Sequence, residues 1–136
     1  MTRTRRLKHR TRGMAMVEMV FVLPLLILLV FAIAEFGLMF SRWLTLSNAV
    51  REGARAGVTF DKPCVQATVT TRAKNAVVSY ARAGGVPISA ADVTVSGQCN
   101  DNNPLIVNAA YAFKLNIPFA SINTVNLHYS STMRNE

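Results

Sequence analysis

Acidic residues are scarce in the first part of this 136-residue chain, with none before Glu18. From Met19 to Ala34 there is no charge of either sign. Histidine and cysteine occur only twice each, as His9, His128, Cys64 and Cys99, and these stand far apart. That spacing excludes the clustered ligand sets of zinc sites. Neither a phosphate-binding G-x-x-x-x-G-K-[ST] loop, a nucleophile elbow nor an H-E-x-x-H helix is present. Ser130, Ser131, Asp61, Asp92 and Asp101 have no base at a recognisable spacing. A lone His128 on a strand reads as a surface or partly buried residue, not a ligand. The chain is therefore not expected to be an enzyme, and no cofactor or metal is expected.

What is present is a sharp division of charge. Arg3, Arg5, Arg6, Lys8, Arg10 and Arg12 crowd the start, while the remainder carries nine basic and seven acidic residues. The net charge of +8 is thus mostly a leader. A basic leader alone also suits a disordered nucleic-acid arm. Beside so clear an apolar run the better reading is a cytoplasmic flank, and no nucleic-acid partner is expected. The run itself extends from Met19 to Phe40 and is interrupted by Glu35. About 20 residues suffice to cross a bilayer as a helix, so 19–40 is the expected span. Pro24 lies inside it, where membrane helices tolerate proline. Arg42 and Trp43 follow, as suits an outer interface.

Glu18, at the rim of the run, is the residue most in need of an explanation. A carboxylate at membrane depth is costly unless neutralised. It either snorkels into interfacial water or meets a positive partner. Glu35 has the same two options. Arg42, two turns away, is too far along the helix for an easy direct pair, so outer-interface water is the preferred reading.

Three fates remain open for the N-terminus. Ala32-Ile33-Ala34 resembles a signal-peptidase site, but the apolar character continues through Phe36, Leu38, Met39 and Phe40 with no intervening breaker. An uncleaved anchor is a second possibility, and processing nearer the leader is a third.

The helix is expected to continue past the span, from about Ala15 to Val58, with Leu44, Ala49, Val50 and Ala54 sustaining an apolar stripe. Ala49, Gly53 and Gly57 recur every four residues, a spacing that lets two helices approach closely. The competing reading makes Gly57 a helix terminator and Gly53 incidental. Residues 59–63 form a linker. Cys64 to Ala83 predicts a second, amphipathic helix with Val65, Val69, Ala73, Ala76, Val77 and Tyr80 on one face. Gly84, Gly85 and Pro87 end it.

Beyond that point the period falls to two. Val93 and Val95, then Val107 to Ile117, then Val125 to Met133, alternate apolar with small or polar residues and predict about three strands, broken at 97–104 and 118–123. The expected architecture is α+β: a leader (1–13), a long helix (14–58), and an exported domain (59–136) with a helix packed on a small antiparallel sheet. Cys64 and Cys99 both follow the span, in what the basic flank marks as an oxidising compartment. An internal disulfide is therefore expected over free or interchain thiols.

With these residues in place, Gly13-Met14-Ala15-Met16-Val17-Glu18 resembles the processing site of type IV pilin-like proteins. More narrowly, several segments are similar to TadE-like pseudopilins of tight-adherence (Flp) pilus systems. They are Arg12 to Glu18, Leu23-Pro24-Leu25, Ile33-Ala34-Glu35-Phe36-Gly37 and Asn48 to Arg55. Met14, Met16 and Met19 depart mildly from the family pattern. The resemblance implies cleavage after Gly13 by a prepilin peptidase and an assembly or recognition role for Glu18. It also implies a single-pass location in a bacterial inner membrane, with the N-terminus cytoplasmic and the domain outside. The implied partners are that peptidase, TadF-like and TadG-like companions, Flp pilin, membrane lipid and an inner-membrane assembly platform.

Overall fold

A computed structural model describes residues 8–59, 64–97, 103–116 and 124–134. The first helix, α1, runs without interruption from Lys8 to Val58. At 1.5 Å per residue it is about 76 Å long, more than twice the thickness of a membrane core. It begins seven residues before the expected Ala15, because nothing in the basic flank breaks a helix and Gly13 alone costs only about 1 kcal/mol. Pro24 sits within it.

The second helix, α2, spans Gln66–Ala83. It starts two residues later than Cys64, behind an extended Val65 that offers no side-chain cap. Its end is a left-handed cap. Gly85 takes φ 77°. Its N–H donates to the Arg82 carbonyl, and the Val86 N–H donates to the Ala81 carbonyl at 2.8 Å. Ala81 and Val86, which flank this cap, are both fully buried. That combination of crossed hydrogen bonds and an apolar contact closes many helices at a glycine.

A short 3-10 turn at Ala90–Asp92 leads into the sheet. Its start is held by Asp92, whose carboxylate accepts from both the Ser89 N–H and the Ser89 hydroxyl at 2.8 Å. These bonds, the backbone one first, hold the Asp92 carboxyl below its ordinary pKa.

The strands are β1 (Val93–Ser96), β2 (Pro104–Phe113) and β3 (Val125–Arg134), in the order β1-β2-β3 and antiparallel throughout. Val93 pairs with Ala109, and Ala109 with Tyr129. Pro104 opens β2, a position where the missing N–H is tolerated. Along β2 the residues Leu105, Val107, Ala109 and Phe113 are buried, while Ile106, Asn108 and Ala110 are less covered. The period-two pattern thus selects the inner face, although the strand ends at Phe113 and does not continue through Leu115. Ile117 and the expected break at 118–123 lie outside the described residues, as do linker positions 60–63, Cys99, Asp61 and Asp101.

The core lies between the outer part of α1, the helix α2 and the inner face of the sheet. Leu46, Val50, Val77, Val86, Val93, Leu105 and Val107 are fully buried there. On α2 the buried positions are Val69, Ala73, Val77 and Ala81. The expected face is therefore rotated: Val65 and Tyr80 are 55% and 45% exposed, and Ala81 takes the inward place. A stripe at strict four-residue spacing is what a close helix pair selects, and the bulky Tyr80 falls beside it.

The relative heights of the elements follow from Tyr129. Its ring meets that of Trp43 edge-on at 6.2 Å. Its hydroxyl accepts from Arg51 Nε at 3.0 Å. The Ala109–Tyr129 pair is therefore level with the middle of the Trp43–Arg51 segment, near Ser47. Four residues of strand cover about 13 Å, the rise of about nine helical residues. Leu105 accordingly lies beside Gly57, and Phe113 comes down to about Leu38 or Met39. Met39 is indeed partly buried against the core. The core thus reaches Met39, near the outer end of the expected span, while Phe40 stays exposed.

Candidate functional site

Two stretches of α1 carry the residues singled out from sequence, and their surroundings differ. The first is the segment around Gly13. Met14, Met16, Val17 and Met19 are 60–76% exposed, and Glu18 is exposed too. Among the described residues, nothing beyond the helix's own backbone and the adjoining residues lies within 4 Å of where a side chain on Gly13 would begin. No packing contact among them requires glycine at this position. Met14 and Glu18 are four residues apart, which places them about 40° apart around the helix axis and about 6 Å apart along it. A group bound to one is within reach of the other. Glu18 makes no ion pair among the described residues, where the sole pair is Arg55–Glu52 at 2.7 Å. Onward from Gly13 the helix has a best-window mean hydropathy of 2.8, and none of that window is buried within the chain. One long apolar N-terminal helix of this kind is compatible with a single-pass membrane anchor.

The second stretch is Ala49, Gly53 and Gly57. All three are buried, and they face α2 and the sheet. A Cβ on Gly53 overlaps the Val77 Cγ2 methyl and lies 3.0 Å from the Ala73 carbonyl oxygen. A Cβ on Gly57 overlaps Leu105 Cδ2 and lies 3.2 Å from the Ala73 Cβ. The small residues therefore face a helix of the same chain, where α1 and α2 pack backbone against backbone. The sequence pattern left that partner open, because a four-residue repeat of small side chains looks alike within and between chains.

The remaining candidates are dispersed. Glu35 is half-buried on α1. Arg42, its potential partner by sequence, donates instead to the Gly85 carbonyl and ties the α2–β1 loop to α1. Cys64 is partly buried against the core, and no described cysteine is free. His128 stands on the outer face of the sheet beside Thr94, Asn108 and Ser130. Asp92 also lines that open concavity, and its carboxylate is held by the two Ser89 bonds. Among the described residues no group of three metal-ligating side chains converges. Sequence reading missed the Trp43–Tyr129–Arg51 stack, in which the Arg51 guanidinium carbon lies 5.5 Å from the ring centre. The contact joins residues far apart in sequence, and no local signal announces it.

Residues 13–55 match the family model of TadE-like proteins. The match covers about a third of the chain, all of it within α1, which is similar to TadE-like proteins over those residues. The match begins at Gly13 and takes in Glu18, Gly53 and most of the outer half of α1. No curated protein and no solved structure matches the chain.

Proposed function

We propose that this chain is a minor pseudopilin that supports the assembly or initiation of a tight-adherence (Flp-type) pilus. The observation that carries the reading is the family match starting at Gly13, on an exposed apolar helix that presents Glu18 one turn later. A prepilin peptidase cuts after Gly13 on the cytoplasmic side of the inner membrane. This removes every leader charge and frees the Met14 amine. The new ammonium and Glu18 lie on nearly the same face. In a helical assembly Glu18 of one subunit neutralises the terminal amine of its neighbour. Two charges that are costly at membrane depth then form a pair that sets axial register. The role is not enzymatic. Further partners are TadF-like and TadG-like proteins, Flp pilin and the inner-membrane assembly platform.

The test is N-terminal sequencing with intact mass on protein from the native membrane fraction, for the wild type and Gly13→Val. The structure gives Gly13 no packing neighbour, so Gly13→Val leaves the fold intact and bears on processing alone. A wild-type start at Met14 that is lost in Gly13→Val supports the reading. A start at Glu35 makes the chain a secreted domain released by signal peptidase. An intact Met1 in both proteins makes it an anchored binding module. Glu18→Ala is expected to be cleaved normally yet to leave cells without pili, and normal piliation refutes the amine–carboxylate pairing.

A further inference from the structure

The lower end of the domain, where α1 enters it, carries basic side chains next to the apolar stretch. Three cationic side chains stand there. Arg42 lies on α1 and holds the Gly85 carbonyl. Arg82 is exposed in the last turn of α2, with its Nε donating to the Ile88 carbonyl at 3.2 Å. Lys114 follows directly on Phe113, at the foot of β2, and is exposed. Of the acids of the described domain, Glu52 stands higher, paired with Arg55 toward the outer end of α1. Asp92 precedes Val93, whose partner is Ala109, and its carboxylate is taken by the Ser89 N–H and hydroxyl. Glu35 lies below the domain on α1, among apolar residues.

This end is held at a fixed height. Helix α1 passes from its apolar stretch into the domain with no break. Gly84 packs directly against Thr45, so the loop after α2 is pinned to α1 about one turn above Arg42. The strand arithmetic brings Phe113 down to about Leu38 or Met39. If the uncovered apolar stretch fills the hydrocarbon, Lys114 starts at its edge. Arg42, and Arg82 near the level of Thr45, stand within about 10 Å of it. Headgroups extend about 5–7 Å beyond the hydrocarbon on each side, and Arg side chains reach as far again.

We propose that Arg42 and Arg82 beside the Gly84–Gly85 loop, with Lys114 at the foot of β2, bind the phosphates of anionic phospholipid headgroups and seat the domain on the bilayer surface. The attraction of basic side chains to an anionic surface is short-ranged, falling off within a Debye length, and these three lie inside that range. Guanidinium groups suit phosphate through paired N–H donors. Seating fixes the tilt and rotation of α1, and with them the direction in which its exposed faces meet other subunits. The inference rests on α1 spanning a membrane, which flotation of the full chain with vesicles tests separately.

The experiment uses the full chain in nanodiscs of phosphatidylcholine alone, and of phosphatidylcholine mixed with phosphatidylglycerol. Hydrogen exchange at Gly84, Gly85 and Val86 and acylation of Lys114 by a membrane-impermeant reagent are measured in both. Expected is about tenfold slower exchange and acylation in the anionic discs, abolished by high salt. Arg82→Gln is expected to remove most of the protection while leaving thermal unfolding in phosphatidylcholine nearly unchanged. Lys114→Gln, read by exchange alone, is expected to weaken it further. Equal rates in the two lipids overturn the proposal. So does protection that persists in the Arg82→Gln, Lys114→Gln double variant. Flotation without lipid-dependent protection leaves the membrane anchor standing and removes only the seated domain.

Discussion

Replacing Gly53 by alanine sets two effects of opposite sign against each other. Gly53 is inside a helix, so alanine gains about 1 kcal/mol of backbone propensity. The new methyl, however, overlaps the Val77 Cγ2 and sits 3.0 Å from the Ala73 carbonyl oxygen. Val77 and Ala73 are fully buried, as are Ala49 and Ala81 along the same contact, so no flexible side-chain end can swing aside. The two helices have to separate. Overpacking of this kind costs about 1–3 kcal/mol, which leaves a net loss near 1 kcal/mol. For a domain of this size that lowers Tm by about 4–8 °C. Thermal unfolding of the full chain in detergent, followed by circular dichroism and by emission from the single Trp43, reads the change. The geometry makes a sharper demand on the pair. Val77→Ala removes the methyl that alanine at 53 strikes, so the double variant is expected to be more stable than the two single losses predict, with a coupling of about 1–2 kcal/mol. Gly37→Ala is the control, because no atom lies within 4 Å there, and no drop is expected. A Gly53→Ala chain that melts at or above wild type, or losses that add strictly, refutes the close helix contact.

Four other outcomes follow from particular contacts. Gly57→Ala meets Leu105 Cδ2 and the Ala73 Cβ, so its Tm is expected to fall by a similar amount, and Leu105→Ala is expected not to add its full cost on top. The Asp92 carboxyl has a lowered pKa in the folded chain through its Ser89 bonds. Its contribution is complete above the unfolded value of about 3.9 and is lost as pH falls through the lower folded value. An acid titration of stability should therefore show a shallower limb below pH about 4 in Asp92→Asn. Tyr129→Phe loses the hydroxyl that Arg51 reaches at 3.0 Å but keeps the ring beside Trp43, so a stability loss of about 0.5 kcal/mol is expected with Trp43 emission little changed. Intact mass after alkylation without reductant is expected to show neither Cys64 nor Cys99 modified. Two alkylated thiols refute the disulfide, whose loop would contribute about 4 kcal/mol.

The legible parts of the fold are those written in short-range periodicity. Alternation in β2 selected Val107, Ala109 and Phe113 for its inner face because a pleated strand can turn only two ways, and Leu105, ahead of the expected run, is buried with them. The run from Met19 announced a helix too apolar for the surface of a water-soluble domain. Less was legible where several periods compete. On α2 a looser apolar pattern admitted Val65 and Tyr80, whereas the packed helix uses Val69, Ala73, Val77 and Ala81. The choice was made by α1, whose glycines admit only a narrow stripe. Helix α1 begins at Lys8, before the expected start, since sequence marks breakers better than it marks starts without caps. The partner of Gly53 and the height of Phe113 depend on register between elements, and no local pattern carries register of that kind.

One consequence ties the two stretches of α1 together. The glycines are of two kinds, separable only by their neighbours. Gly53 and Gly57 are filled against α2 and the sheet, so their tolerance to substitution is a matter of stability. Gly13 meets no packing neighbour among the described residues, so intolerance there points to recognition by a second molecule. Comparing Gly13→Ala with Gly53→Ala in one assay of folding and one of N-terminal processing therefore separates the roles without reference to any other chain. Helix propensity favours alanine at both positions. Gly53→Ala is expected to be processed normally but to melt lower. Gly13→Ala is expected to melt no lower, so that any loss of processing it shows lies in recognition and not in the fold. A Gly13→Ala chain with a lowered melting temperature contradicts the open surroundings of that residue, and with them the argument that its glycine serves a partner.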